Sequence, residues 1–454
     1  MLEDYAVSGR LPMHMPGHKR NAAMLGDAHR YDITEIDGFD DLHNPSGTIA
    51  ELTRLSAQLW HAQDAMLSVN GSTGLILSSI LACAAGHSKI LIASNCHISV
   101  WHAIELAGLT PVTIMPRMSG KYPFALGLSP EDVSRAISDT PDAAALVYTS
   151  PTYEGVISDS ADIKDIADRA GIPVILDSAH GAHLGLSDLL PSDGSADIVI
   201  KSVHKTLSAP TQTAVLLSYS DRIPMRSIAH YMNVTETSSP SYVLMGGMSR
   251  CIYDLYDHGI GDFPEQILRA RDVLKRLKHL DLFPSDDPSK FVIITPDGMT
   301  GPELAGRMRE LHNIEPEAVF PRHVIFMTGT GDTSGSLSRL TAALIEEDRL
   351  IMFDKASEVS LPAVSSSGIE DLNFVMSIGD AVKAELTETP ITEAEGKICG
   401  EYVFAYPPGI PLMVPGAVIT ESAVRYLKTI AGYGIIPVRE PAAPWDGTVF
   451  TVDT

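Results

Sequence analysis

The chain has 454 residues, 44% of them hydrophobic, which is enough for a large core shared among two or three domains. Its 33 Lys and Arg against 57 Asp and Glu leave a net charge of −24. That balance argues against non-specific binding to nucleic acid or an anionic membrane, and is compatible with attracting cationic substrates. Cys83, Cys96, Cys251 and Cys399 stand at no metal-ligand spacing, so no metal is expected and the thiols read as those of a reduced, cytoplasmic protein. The opening residues MLEDYAVSGR are polar and acidic, unlike a signal peptide, and the longest apolar stretch, near 75–85, is far shorter than a membrane span.

Residues 1–45 carry many Gly, Pro, Asp and His with little periodicity and read as an extended arm. Ile49, Leu52, Leu55 and Leu59 recur at helical spacing, predicting a helix over 46–62. A short strand over 65–69 runs into Asn70-Gly71-Ser72-Thr73-Gly74 and a helix over 75–84. A Gly-Ser-Thr turn at a helix start offers free N–H groups and two hydroxyls, a cradle for phosphate; ordinary Ser/Thr capping is the other reading. A strand over 90–93 precedes Asn95-Cys96-His97, and His97 is either a helix cap or a flat ring aimed at a ligand. Further strands over 143–148, 174–177 and 196–200, with a helix over 163–170, give the alternation of a doubly wound α/β domain.

The stretch from Val174 to Thr213 is the centre of this pattern. Short apolar runs bounded by turn residues suit buried parallel strands, and chemistry in open α/β sheets gathers at their carboxyl ends. Asp177 and Ser202-x-His204-Lys205 would therefore share the rim of one crevice. A lysine to form a Schiff base with an aldehyde, a carboxylate to hold a pyridine nitrogen protonated, and small hydroxyls with a nearby cation for a phosphate are what pyridoxal 5'-phosphate requires.

Downstream, 227–257 reads as helical and 266–280 as a basic amphipathic helix that ends the large domain. Strands over 291–294 and 324–327 and helices over 303–311 and 336–346 read as a smaller α+β domain, with a Ser-, Pro- and Glu-rich linker near 355–395. The expected domains are an arm (1–45), a large cofactor-binding domain (46–287) and a small C-terminal domain (288–454).

The motifs Pro16-Gly17-His18-Lys19, Asn70 to Gly74, Asn95-Cys96-His97-x-Ser99, Ser150-Pro151-Thr152-Tyr153, Asp177 to His183, Ser202-x-His204-Lys205-Thr206-Leu207, Ser238-Ser239-Pro240-Ser241-Tyr242 and Tyr406-Pro407-Pro408-Gly409-Ile410-Pro411 occur in one order along the chain. In that order they resemble the fold-type I pyridoxal-phosphate enzymes, in particular the Orn/Lys/Arg decarboxylase family. The resemblance implies an aminotransferase-like, mostly parallel sheet with helices on both faces. It implies decarboxylation of arginine, lysine or ornithine to the corresponding amine. Lys205, Asp177, His97 and His204 would be catalytic. Ser72, Thr73, His97, Asp177, Ala179, His180, Ser202, His204, Lys205 and Ser239 would contact pyridoxal 5'-phosphate, with Ser239 and the arm around His18 reaching a partner's site in a homodimer or homotetramer.

Three positions depart from the family pattern. Ser94 stands where an Arg is usual, Ile98 where a Lys is usual, and Ala417 where a Glu follows Pro415-Gly416. In the family that acid helps to hold the substrate or to position the loop, so its absence bears on substrate identity. An aminotransferase or lyase, and a non-catalytic relative, remain as alternatives. The first would need an arginine for the substrate carboxylate, and no convincing candidate stands out; the second sits poorly with the retained Asp177, His204 and Lys205.

Overall fold

A computed structural model describes residues 11–13, 33, 35, 39–351, 372–405, 409–440 and 445–453. The motif residues 16–19 and 406–408, and linker residues 352–371, lie outside the described residues.

Seven strands form the central sheet: β1 (Asp64–Ser68), β2 (Lys89–Ala93), β3 (Thr110–Ile114), β4 (Leu146–Thr149), β5 (Val174–Asp177), β6 (Ile198–Lys201) and β7 (Ala214–Ser218). Their order is β1-β7-β6-β5-β4-β2-β3, and only β7 runs against its neighbours. Residues of β4, β5 and β6 are almost entirely buried, as expected of parallel strands covered on both faces. Pro111, which cannot donate to a ladder, sits in the edge strand β3. The apolar helix Gly71–Cys83 buries Leu75, Ile76 and Ile80 against the sheet and touches the helices Ile98–Ala107 and Met225–Thr235. The mostly parallel α/β architecture expected from the sequence is thus present. No helix among the described residues is long and apolar enough to cross a membrane.

The region expected to be helical over 227–257 is two helices, Met225–Thr235 and Tyr242–His258. Pro240 lacks the N–H that a continuous helix needs, and Ser241 starts the second by accepting from the N–H of Leu244. The helix expected to reach residue 280 stops at Leu274. The carboxylate of Asp348 takes the N–H groups of Lys278, His279 and Leu280, turning the chain away.

A four-stranded sheet follows in the order Ala318–Val319, His323–Met327, Lys290–Ile294, Asp281–Leu282. It begins before residue 288, because Asp281–Leu282 pairs with Ile293 and Ile294. The strand Leu11–Met13 runs parallel to Ile314–Pro316, so this part of the expected arm is docked. The linker expectation is corrected over 378–390: Ile378–Lys383 is helical and Leu386–Pro390 pairs with Thr448–Val452. The polar alternation of Leu386–Pro390 reads as linker because only distant residues, the last strand, complete its ladder. A separate apolar cluster around Val403, Leu427 and Val449 holds the C-terminal region.

Candidate active site

β5 ends at Asp177, and β6 passes through Ser202 into the helical turn Val203–Thr206, which carries His204 and Lys205. The chain after Asp177 folds back over Lys205, placing His180 Nε2 3.0 Å from Lys205 Nζ. Gly181 allows this fold, since a Cβ there would lie 2.4 Å from Ser178 Oγ and 2.9 Å from Pro151 Cδ. His180 meets the Tyr153 ring edge-on at 4.8 Å between centroids.

His97 does cap a helix: its Nδ1 accepts from the N–H of Ser99 at 3.2 Å. Its ring also feels the charge of Lys205, so capping and a place in the site coexist. Burial, followed by Lys205 and His102, pushes the imidazole down to about 3, which keeps it neutral. His180 is driven far below the usual imidazole range by burial and then by Lys205, Lys290, His97 and His204. Burial lowers Lys205 against the pull of Asp177 and Glu317. Burial likewise raises Asp177, opposed by Lys205 and by the N–H of Ala179 at 3.1 Å. The five groups Asp177, His97, His180, His204 and Lys205 therefore act on one another in one place. A protonated pyridine nitrogen is the kind of partner the buried Asp177 carboxylate calls for.

Ser72 and Thr73 lie in the first turn of Gly71–Cys83, whose N-cap, Asn70, makes no side-chain cap bond. The capping reading of this turn is thus not realised. Gly71 takes φ +70° and donates its N–H to Gln212 O at 2.7 Å, while His204 Nδ1 bonds Thr213 O at 2.9 Å. This short loop ties the helix start to the Lys205 turn. Ser202 Oγ and Ser178 Oγ are buried without a hydrogen-bond partner. An uncapped helix N-terminus beside orphaned hydroxyls fits a phosphate. Ala179 is buried and small, leaving room for a flat ring. Ser239 is exposed and bonds only locally, its N–H donating to Thr237 Oγ1 at 3.3 Å. Within one chain it stays outside the cluster.

Sequence reasoning missed Lys290, Asp287 and Glu317, and gave no role to Tyr153 or His183. Lys290 Nζ lies 2.9 Å from His180 Nδ1, on the side opposite Lys205. His183 joins Asp287 (2.9 Å) to Thr206 (3.1 Å). Tyr153 donates its hydroxyl to Glu317 at 2.6 Å. A charged residue opening the apolar run Phe291–Ile294 was the available signal for Lys290, and such residues usually stay at the surface. Lys201, by contrast, is a structural lysine, buried against Asp193 and the carbonyl of Gly181.

Of the departures, Ser94 is buried beside Met115, and Ile98 donates its N–H to Gly409 O at 3.0 Å, bringing the loop after 406–408 to the turn that holds His97. Ala417 is buried in an apolar pocket lined by Leu372, Cys399, Leu412 and Met413. The expectation that position 417 bears on substrate binding is therefore corrected: its neighbours are hydrophobic side chains of the C-terminal region.

A family model for the Orn/Lys/Arg decarboxylase major domain matches residues 1–283, and one for the C-terminal domain of the same family matches 371–434. The chain belongs to the Orn/Lys/Arg decarboxylase family. It is 30% identical to an arginine decarboxylase of Bacillus subtilis over 97% of this chain and 94% of that protein. It is 23% identical to the inducible lysine decarboxylase of Escherichia coli, over 93% of this chain and 75% of that one. The constitutive lysine decarboxylase of Escherichia coli superposes with a TM-score of 0.77 at 17% identity, covering all of this chain and 81% of the other. An alanine–glyoxylate aminotransferase from Nostoc sp. shares the fold at a TM-score of 0.58 and 14% identity, over 74% of this chain and 94% of that one. The activity is that of the family, decarboxylation of a basic amino acid.

Proposed function

We propose that the chain is a pyridoxal-phosphate-dependent arginine decarboxylase of the cytoplasm, acting as a homodimer, with Lys205 as the covalent anchor. The observation that carries the reading is the half-buried Lys205 amine, held on His180 at 3.0 Å in one crevice with the buried Asp177. Arginine is favoured over lysine by the relatives of matching length, of which the Bacillus subtilis protein is one. The four free cysteines support a reducing compartment.

When bound, pyridoxal phosphate supplies an electron sink for the pair released as the α-carboxylate leaves as carbon dioxide. Asp177 would hold the pyridine nitrogen protonated. His97 would lie flat and neutral against the ring. The N-terminal turn with Ser72 and Thr73, together with Ser202, would hold the phosphate, and His204 would brace that side through its bond to Thr213. Lys205 or His204 would return a proton to the substrate α-carbon. Ser239, exposed in the single chain, would face the site of the second copy.

An aminotransferase would need an arginine free to grip the α-carboxylate. Arg271, beside this region, is spent on backbone: it donates to the carbonyls of Lys290 (2.7 Å) and Phe283 (2.8 Å). The test is product analysis with arginine, lysine and ornithine, each with added pyridoxal phosphate. Agmatine from arginine is expected as the main product. Equal or greater turnover of lysine or ornithine would overturn the substrate assignment, and a keto acid in place of an amine would overturn the reaction.

A further inference from the structure

His180 lies between two lysine amines, Lys205 Nζ on Nε2 at 3.0 Å and Lys290 Nζ on Nδ1 at 2.9 Å. A neutral imidazole has one N–H and one lone pair, and an ammonium group has donors only. The ring is buried between two amines, and burial, the largest influence on it, favours the neutral imidazole. Both lysines therefore cannot be ammonium and both be bonded to it: one must be a free amine that accepts the ring's N–H.

The charges around the two lysines differ. Lys290 is wholly buried, and its side chain also contacts Met327 Sδ at 3.2 Å and lies over the Tyr153 ring. Its acidic neighbours are Asp287 and Glu154, and burial pushes Glu154 up to about 7, which leaves Asp287 as the firm anion. Asp287 is itself wholly buried and firmly ionised, its carboxyl held down at about 2 by His183, Lys290 and Ser289 despite burial. Its direct partner is His183 at 2.9 Å, and Lys290 adds to its ionisation through space. Lys205 faces Asp177, Glu317, His97 and His180. Of these, Asp177 is pushed toward its protonated form by burial, a weaker support for a second cation.

Resting on the reading of Lys205 as the covalent anchor, we infer that Lys290 and His180 are positioning residues that hold Lys205 as the neutral, nucleophilic amine. Lys290, charged against Asp287, donates to His180 Nδ1. That bond places the ring proton on Nε2, and Nε2–H is donated to the lone pair of Lys205. The arrangement is braced at its other end, since His183 ties Asp287 to Thr206, the residue after Lys205.

The experiment uses the full chain freed of cofactor and follows acetylation of Lys205 by acetic anhydride against pH, read by mass spectrometry of the Lys205 peptide. In the wild type the labelling midpoint should fall at least one unit below that of an ordinary lysine, about 10.4. Lys290→Met removes the cation and frees His180 to accept from a Lys205 ammonium, so the midpoint should rise by about one unit or more, a roughly tenfold loss of labelling near pH 8. His180→Asn should do the same with Lys290 left in place. A wild-type midpoint at the ordinary lysine value, or folded variants that leave it unmoved, would overturn the inference; the wild-type arm stands even if a variant does not fold. Labelling that shifts in a chain that takes up no pyridoxal phosphate would sink the proposed function and spare this inference. Normal cofactor attachment at Lys205 with an unmoved midpoint would do the reverse.

Discussion

Two buried charge clusters of this molecule are built on opposite lines. In the C-terminal region Arg439 is almost wholly buried, its Nε donating to both oxygens of Glu401 at 3.1 Å, with Glu388 and Asp446 beyond and the ring of Phe450 beneath. One cation there faces three acids. Around Lys205, two lysines, one of them from the four-stranded sheet, share one neutral histidine, and the hydroxyls of Ser178 and Ser202 go without partners. Arg439 Nη2 is likewise buried without a partner, but the charge of the first cluster is matched by acids of its own region, and it serves the fold. The second is complete only with something added, and the fold tolerates its cost because the core around it is large.

The contrast breaks most sharply at Lys205. Lys205→Ala should cut turnover by at least roughly a thousandfold while the fold persists. Steady-state rates and borohydride trapping of the cofactor check this, and label found on Lys201 or Lys290 would refute the assignment. Arg439→Met should do the opposite: a loss of roughly 3–5 kcal/mol in urea unfolding, because Glu401 is left buried and unpaired, with kcat of the folded fraction unchanged. Asp177→Asn should lower kcat by roughly 10²–10³-fold with cofactor still bound, as for one strong preorganised electrostatic contact.

A smaller effect tests the brace behind the crevice. Asp287 is depressed from 3.8 to about 2 in the folded chain, so its stabilisation is present above the unfolded value and lost as pH falls through the folded one. That corresponds to about 2 kcal/mol, and Asp287→Asn should flatten the acid limb of stability between about pH 4 and pH 2. The smallest change concerns Ala417. Ala417→Glu places a carboxyl in an apolar pocket and should cost roughly 1–3 kcal/mol while leaving the Michaelis constant for arginine unmoved. A lower Michaelis constant would return that position to the substrate site.

Much of the crevice could be read in the chain because it is local. Asp177 ends one short apolar strand and Lys205 lies in the turn after the next, and these neighbouring parallel strands bring their carboxyl ends to one rim. His97 was legible in the same way, in the turn after the strand next inward from the edge. Lys290 was not, because nothing near it in sequence distinguishes a buried lysine at a strand start from an exposed one. Only the packing of that strand behind His180, 110 residues away in sequence, gives it a chemical neighbour.

By itself, then, the sequence determined the alternation of strands and helices, the strand ends that carry Asp177 and Lys205, and the family, since these rest on short-range periodicity and on motifs that occupy single turns. The tertiary structure alone decided the break at Pro240 between two helices, the strand inside the supposed linker, the apolar surroundings of Ala417 and the two lysines on one imidazole. For the strand inside the supposed linker and for Lys290 on the imidazole, the deciding partner lies far along the chain. Hydrogen-bond satisfaction and burial depend on what distant segments bring to a side chain, and no local pattern encodes that.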